Sequence, residues 1–446
     1  MTIDKNYNQR RYTLDILVSL FGISSWLLVN STFLQLPLLV EKAPEQWSLA
    51  SYIVITIQIA NIGPLLYNII QYIYPIKDSI FITFLMTIGV IGSVFFGFYY
   101  DTSSYFWGQD RSVALLVIVF GFALVGCTSS VLFMPYMGRF QEIYLITYLV
   151  GEGLSGLVPS LLALAQGVGG NTKCVASNET ESGYDYYTPP PRFNIQIFFT
   201  IISCLFIICT IAFLLIDRLP TFKKQYSNVD IKSGNNYTYK KDDNCDGVNE
   251  NNTESNSASE VSATDSTNSV DKLSKYNYIY LMILMAVICF FTNGVFPSTQ
   301  TYSVAPYGNV AYHWAIVLSS IANPAGCFLA FFLPHKNVRM ITILSIFTSV
   351  FGIYALITSL MSPPPMHNML IGQIIIVICW TLFTGLHSYV RLSINASFRN
   401  QGGRSLVFIG SCQQIGSFVG SIVAFTVINF TEIFKYYDVC ADFVAS

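Results

Sequence analysis

The sequence predicts an all-α integral membrane protein with eleven transmembrane helices, arranged as two pseudo-symmetric bundles of six and five. Three observations indicate this fold class. Of the 446 residues, 53% are hydrophobic and only 11% are charged, with a mean hydropathy of +0.51, whereas soluble domains carry about 25% charged residues. Eleven stretches approach the length of about 20 apolar residues that crosses a bilayer. A polar motif in the first half of the chain also recurs in the second half.

The apolar stretches define the expected helices in chain order. Alternation of the kind found in β-strands is absent from them, and helices satisfy their own backbone polar groups in lipid. The first stretch is too long for the apolar region of a signal peptide and lacks a small-residue cleavage site, so we expect it to be retained. The spans are expected at residues 14–36, 50–71, 80–100, 112–136, 142–167, 194–216, 277–297, 309–333, 338–360, 369–390 and 403–430.

The repeated motif is an Asn on an outward-running span followed by an Asn on the returning span. Asn30 and Asn61 form the first pair, and Asn293 and Asn323 form the second, at offsets of 263 and 262. Matching polar groups in two similar bundles are typical of transporters, which open a central site to either side of the membrane in turn. Glycines on the fifth and eleventh spans (Gly151, Gly153, Gly156, Gly416 and Gly420) predict close helix packing.

The distribution of Lys and Arg predicts the orientation. With a cytosolic N-terminus, 18 of the 23 basic residues lie inside and five lie outside, as the positive-inside rule requires. An odd number of spans then places the C-terminus outside the cell. This count treats Arg391 as a cytosolic residue just beyond the tenth span.

The spans divide the chain into four regions. Residues 1–218 are expected to form the N-terminal six-helix bundle, with an outside loop at 168–193, and residues 276–432 the C-terminal five-helix bundle. Residues 219–275 are too polar to fold alone and predict a disordered cytosolic linker. Residues 433–446 form an extracellular tail. The sequon at Asn178 falls in the outside loop, where we expect glycosylation.

Uncharged polar residues within the spans are the candidates for a binding site. Buried polar groups cost free energy unless they are paired, so such residues face either a cavity or a neighbouring helix. Asn30 and Asn293 resemble ligand contacts most, whereas Asn61 and Asn323 resemble interhelical clamps most. The candidates selected on this basis are Trp26, Asn30, Gln35, Gln58, Asn61, Ser129, Asn293 and Gln300.

The near-absence of fixed charge at mid-membrane indicates a neutral substrate with several hydrogen-bonding edges. Amides supply both donors and acceptors. Phe133, Tyr312 and Tyr389, together with Trp26, could stack on a flat ring, although each could equally be a packing residue. Glu152 is the exceptional charge and either tunes the site or is a neutral acid tied to a neighbouring helix. His313 is a candidate for pH sensitivity or an interfacial bystander.

Other classes of function receive little support from the sequence. It contains no phosphate-binding loop, nucleophile elbow or metal-ligand spacing, so we expect no catalytic residues, metal site, cofactor or nucleic-acid partner. The lipid bilayer is the expected surrounding, and the chain is expected to act as a monomer. Cys174 and Cys440 both face outside, where they either form a disulfide or remain as two thiols.

Short blocks spread over nearly all the spans resemble the eukaryotic riboflavin transporters, solute carrier family 52. The resemblance stops in the 219–275 loop and at both ends of the chain. The blocks include Trp26–Asn30 (WLLVN), Ile59–Pro64 (IANIGP), Gly151–Gly156 (GEGLSG), Pro297–Ser303 (PSTQTYS), Ala311–His313 (AYH) and Ala322–Pro324 (ANP).

The resemblance implies an eleven-span fold similar to the major facilitator class and uptake of riboflavin across the plasma membrane. Trp26, Asn30, Asn61, Asn293, Tyr312 and His313 occupy positions that match the family pattern. Two departures stand out. Relatives carry a Glu where Gln35 stands, and a Cys where Pro364 stands, which removes the expected disulfide partner of Cys440. A carrier of another neutral heterocycle, such as a nucleoside, and a non-transporting receptor are the alternative functions.

Overall fold

The structure is a computed structural model that describes residues 11–74, 76–106, 108–176, 184–223, 273–333, 337–399, 401, 403–437 and 440. Asn178 and nearly all of the predicted linker lie outside these residues. We call the side of the membrane at which the first span begins the inner side, and the opposite side the outer side.

The first six spans alternate in direction. Span 1 consists of α1 and α2 followed by the short α3, and span 2 consists of α4 and α5 after a 3₁₀ turn at Gln46–Ser48. The bounds are α1 Tyr12–Ile23, α2 Leu27–Leu34, α3 Leu36–Leu39, α4 Leu49–Ile59, α5 Ile62–Ile73, α6 Asp78–Tyr99, α7 Val113–Met137, α8 Glu142–Gln166 and α9 Ile195–Arg218, with a final turn α10 at Pro220–Lys223.

The last five spans follow after residue 272. Span 7 consists of α11, a π-helical segment at Phe290–Val295, α12 and a 3₁₀ turn at Ala305–Tyr307. The bounds of the helices are α11 Lys275–Cys289, α12 Phe296–Val304, α13 Asn309–Phe332, α14 Val338–Leu360, α15 Leu370–Arg399 and α16 Gly403–Phe430.

The predicted number of spans is confirmed for the described part of the chain. Ten helical segments are long and apolar enough to cross a membrane, and the bent pair α1 and α2 supplies the eleventh. The main difference concerns the tenth span, which was expected to end at residue 390 but continues as α15 to Arg399. Arg391 therefore lies within a helix and not in a loop that follows the tenth span.

The first span of each half of the chain is interrupted. Between α1 and α2 the helix axis bends by 51°. The hydroxyls of Ser24 and Ser25 donate to the carbonyl oxygens of Phe21 and Gly22, a local bonding pattern that competes with helix continuation. Span 7 is interrupted by its π-helical segment, and Pro297 just beyond it lacks the backbone N–H that a regular helix would use.

Close helix contacts in both halves use glycines of the fifth and eleventh spans. A Cβ atom at Gly151 would clash with the carbonyl oxygen of Ser19 on α1, and one at Gly416 would clash with that of Ala286 on α11. Side chains larger than hydrogen would therefore force these backbones apart. The packing function predicted for these glycines is confirmed, and it joins spans 1 and 5 in the same way as spans 7 and 11.

Hydrogen bonds between the first six and the last five spans, among the residues described, all lie on the outer side. Asn309 at the start of α13 donates to Glu41 (2.6 Å), the backbone N–H of Val310 donates to Asn171 (3.0 Å), and Asn429 near the end of α16 donates to Ser51 (3.0 Å). On the inner side the arrangement differs, since α5 contains no buried residue while α4 contains seven.

Two short hairpins complete the outer surface. Strands β1 (Ser104–Phe106) and β2 (Gln109–Arg111) pair between spans 3 and 4, and β3 (Lys173–Ala176) pairs with β4 (Tyr184–Tyr187) in the loop between spans 5 and 6. Cys174 on β3 forms a disulfide with Cys440, with the two Cα atoms 5.7 Å apart. The bond therefore exists despite the Pro at position 364, and it links the loop to the C-terminal tail.

Gly22→Ala should destabilise the fold. Its new Cβ would clash with the carbonyl oxygen of Tyr148, and overpacking of this kind costs about 1–3 kcal/mol. We expect a lower melting temperature in detergent, measured by the fluorescence of a thiol-reactive dye.

Gly410→Ala is the matched control, because no atom lies within 4 Å of a Cβ built at this helical position. Equal melting temperatures for the two variants would contradict the close approach of α1 and α8.

Candidate functional site

Two asparagines make the same contact in the two halves of the chain. The Asn30 side chain, just beyond the bend in span 1, donates from Nδ2 to Ser155 Oγ on the fifth span at 3.3 Å. Asn293, inside the π-helical segment of span 7, donates from Nδ2 to Ser417 Oγ on the eleventh span at 2.9 Å. Amides therefore lie at the interruption of the first helix in each half, and each is oriented by a serine of its own half.

The two amides differ in what their oxygen atoms contact. Asn293 Oδ1 accepts a long hydrogen bond of 3.4 Å from Nη1 of Arg391. The oxygen Oδ1 of Asn30 accepts no hydrogen bond from the described residues, and it is not among the buried atoms that lack a partner. One acceptor is therefore engaged by a cation and the other is open to a ligand.

Arg391 changes the expected electrostatics of the interior. The sequence suggested almost no fixed charge at mid-membrane, but α15 continues past this residue and carries its guanidinium to Asn293. A basic side chain in the body of a span is costly in lipid and usually marks a functional position. Arg391 is therefore a second charge within the spans, in addition to Glu152.

Trp26 lies at the bend of span 1, directly before α2. A Cβ at Gly126 would lie 3.0 Å from Trp26 Cε3, so the indole ring covers the backbone of span 4. The ring is partly exposed and remains a candidate for stacking.

Asn61 and Asn323 contact neighbouring side chains. Asn61, at the junction of α4 and α5, donates to Gln58 Oε1 at 3.0 Å. Asn323 accepts from Ser388 Oγ on α15 at 2.5 Å. Asn323 thus joins two helices, as a clamp would, whereas Asn61 and Gln58 lie on the same span.

Gln35 is buried within the first half of the chain. Its Nε2 donates to Gln166 Oε1 at 2.7 Å, and Gln166 in turn donates to the carbonyl oxygen of Phe193. Only 1% of each glutamine is exposed. This chain of amides ties the outer ends of spans 1, 5 and 6 together.

Four other candidates are buried and held by their immediate neighbours. Ser129 donates to the carbonyl oxygen of Gly126, Phe133 stacks on Phe21 with ring centroids 4.8 Å apart, Tyr312 shares a hydrogen bond with Thr301, and Tyr389 donates to the carbonyl oxygen of Leu333. The side chain of Phe133 is fully buried. These contacts are those of packing residues in this conformation.

Three candidates remain. Glu152 is half-buried on α8, one helical turn from Ser155, and Gln300 is half-buried on α12. His313 is buried near the outer end of α13, beside Trp314. Their assignment to the site stays a prediction.

The described residues contain no group of three or more His, Cys, Asp and Glu side chains that could hold a metal ion. The groups that remain near the two interrupted helices are amides, hydroxyls, aromatic rings and one guanidinium. Such a set can bind a neutral molecule by hydrogen bonding and stacking.

The fold resembles that of solved membrane transporters. A bacterial homologue of the human lysosomal transporter Spinster superimposes with a TM-score of 0.54 at 13% identity, covering 96% of this chain and 83% of that one. The nucleoside transporter NupG superimposes with a TM-score of 0.51 at 14% identity, covering 94% and 91%. At these identities the likeness concerns the fold alone.

The chain belongs to solute carrier family 52, the riboflavin transporters, whose family model matches residues 10–436. It is 36% identical to riboflavin transporter member 3-A of Danio rerio (94% of this chain, 96% of the relative). Identity to member 3 of Homo sapiens is 32% (96% and 98%), and to riboflavin transporter rft-1 of Caenorhabditis elegans 34% (94% and 96%). The family is one of carriers, not enzymes.

Sequence reasoning missed three residues that contact the two asparagines. Ser155 and Ser417 differ in number by 262, the offset of the asparagine repeat, so extending the repeat to hydroxyl residues would have found them. Arg391 was assigned to a loop because a charge ends an apolar stretch. The residues that follow it contain no Gly or Pro up to Arg399, and this absence of helix breakers could have indicated that the helix continues.

Gln35→Leu should lower stability more than it changes substrate affinity. Removing one amide leaves Gln166 buried without its partner, which costs about 1–3 kcal/mol. Thermal unfolding of the purified chain and the Michaelis constant of uptake measure the two effects.

The double variant Gln35→Leu with Gln166→Leu is the control, because replacing both partners by apolar groups should recover part of the lost stability. A raised Michaelis constant with unchanged thermal stability would contradict this interpretation and identify Gln35 as a ligand contact.

Proposed function

We propose that the chain carries riboflavin into cells across the plasma membrane by alternating access. Residues 1–218 and 276–432 act as the two moving bundles within a monomer, with the N-terminus in the cytosol and the tail at 433–446 outside. The substrate site lies near mid-membrane, between the interrupted helices of spans 1 and 7.

The observation that carries the proposal is the matched pair Asn30–Ser155 and Asn293–Ser417. Transporters built from repeats form their sites from discontinuous helices in corresponding positions of the two halves. Here each interruption carries an amide whose direction is fixed by a serine. Such groups suit riboflavin, which is neutral and combines a flat ring bearing hydrogen-bonding edges with a hydroxylated chain.

The contacts between the halves support an alternating mechanism. The hydrogen bonds Glu41–Asn309, Asn171–Val310 and Ser51–Asn429 join the halves on the outer side. On the inner side, α5 of span 2 buries no residue. Contacts that close the outer side belong to the inward-open state, one of the two end states that alternating access needs. The weak polar contacts of the outer side can exchange with water when it opens.

Asn30 is the residue that we assign most directly to the substrate. Its Nδ2 is occupied by Ser155, and its Oδ1 is left as an acceptor near the bend of span 1. Trp26 precedes it by one helical turn, with its ring against Gly126. We expect Asn30 to accept a hydrogen bond from a ring edge or a hydroxyl of riboflavin while Trp26 contributes a stacking surface.

Asn30→Ala should weaken uptake. Losing one hydrogen bond to a neutral ligand costs about 1 kcal/mol, or about fivefold in the Michaelis constant. Saturable uptake of tracer riboflavin into cells without their own transporter is the measurement, corrected for the amount of protein at the cell surface.

Asn68→Ala serves as the matched control, since Asn68 lies exposed on α5, and it should leave uptake unchanged. An unaltered Michaelis constant in Asn30→Ala would remove Asn30 from the site without affecting membership of the family.

Competition should identify the substrate class. We expect excess lumiflavin, which keeps the ring system, to reduce tracer uptake, while uridine at the same concentration leaves it unchanged. Inhibition by uridine alone would favour a nucleoside carrier. Binding of riboflavin without saturable accumulation would favour a receptor.

A further inference from the structure

Two charged side chains of opposite sign lie in the body of the spans, one in each half of the chain. Glu152 is ten residues from the start of α8, and Arg391 is eight residues from the end of α15. All other Asp, Glu, Lys and Arg residues within the eleven described spans lie close to a helix end. Ionisable groups within membrane spans are costly, and they are usually paired or functional.

Glu152 faces the region between the halves. Ser155, one turn further along α8 on the same face, contacts Asn30, and Gly153 packs against Phe328 and Pro324 of α13. The carboxylate has no hydrogen-bond or ion-pair partner among the described residues, and its oxygens are not among the buried unpaired atoms. It therefore borders an accessible space.

Arg391 approaches the same region from the other half. Its guanidinium donates to the Asn293 amide oxygen at 3.4 Å. Cys327 on α13 lies close enough to both Arg391 and Glu152 for each charge to act on it. The two charges thus border one residue, but they form no ion pair in this conformation.

Keeping Glu152 and Arg391 apart costs free energy, and a change of conformation that pairs them would remove this cost. A carboxylate and a guanidinium in a region of low dielectric attract one another strongly, and each is unfavourable there alone. The helix α13 packs against both α8 and α15. A movement of one half against the other on the inner side would change the separation between α8 and α15.

We propose that Glu152 and Arg391 form an ion pair when the inner side closes, so that they are the inner counterpart of the outer contact between Glu41 and Asn309. This inference rests on the alternating-access mechanism proposed above. Both residues then act as positioning residues, which stabilise the state open to the outside without contacting the substrate.

Four variants test the pair: Glu152→Gln, Arg391→Gln, the double Gln variant, and the charge exchange Glu152→Arg with Arg391→Glu. Two measurements are needed, namely tracer uptake per protein at the cell surface and the dissociation constant of riboflavin from fluorescence quenching by the purified chain. Arg339→Gln is the control for loss of a positive charge, because Arg339 is exposed at the start of α14.

We expect each single Gln variant to reduce uptake about tenfold, the magnitude of a broken interior charge pair that contributes about 1.4 kcal/mol. The dissociation constant should change by less than about threefold, since binding from the open inner side does not use the pair. Charge exchange should restore uptake to within about threefold of the unchanged chain. Arg339→Gln should leave both measurements unchanged.

If the exchanged variant does not reach the cell surface, the double Gln variant decides. If the two residues are coupled, the fold reduction in uptake of the double Gln variant is clearly smaller than the product of the fold reductions of the two single variants. A loss equal to that product, or exchange without recovery, would overturn the pair. So would a dissociation constant at least tenfold weaker in Arg391→Gln alone, which would make Arg391 a substrate contact. Absence of saturable uptake by the unchanged chain would instead contradict the proposed function.

Discussion

The connection between the first and the fifth span of each half is the interaction on which the rest of the structure depends. In both halves a glycine of the fifth or eleventh span allows backbone contact with the first helix, and a serine on the same helix then holds an asparagine amide. Without the close contact the hydrogen bond could not reach. Without the hydrogen bond, the amide at the interruption of each helix would lose its serine partner.

This connection explains why the interrupted helices persist. A bend of 51° in span 1 and a π-helical segment in span 7 both release backbone groups from regular helix bonding. The hydroxyls of Ser24, Ser25 and Thr292 satisfy nearby carbonyl oxygens. Interrupted helices of this kind expose polar backbone and side-chain groups at mid-membrane, and the proposed substrate site uses that property.

The number and the approximate bounds of the spans could be predicted from the sequence, because the bilayer imposes a fixed length on each apolar stretch. The repeat also located Asn30 and Asn293 correctly at matching structural positions. A repeat, however, shows which residues of the two halves correspond, but it does not show where their side chains point. Gln35 and Phe133 are of residue types that often bind ligands, but they contact Gln166 and Phe21 inside the first half. The periodicity of the sequence does not show whether such a residue points into its own half or towards a binding site.

The charge in the interior could not be predicted for a related reason. A rule that ends a span at the first basic residue works where the helix meets water, and it fails where a helix continues within the protein, as α15 does after Arg391. The disulfide between Cys174 and Cys440 was one of two open possibilities, since both residues are on the outer side but 266 positions apart. Contacts over such separations depend on the assembled fold.

The measurement that tests the account most directly is the distance between spin labels on the inner and outer sides, with and without riboflavin. Labels at Tyr72 and Tyr276, both exposed at the inner ends of spans 2 and 7, report the inner side. Labels at Tyr105 and Glu432, both exposed beyond the outer ends of spans 3 and 11, report the outer side. The account predicts two populations in which the inner distance shortens as the outer distance lengthens, with proportions that riboflavin shifts. Single distances on both sides that riboflavin leaves unchanged would contradict it.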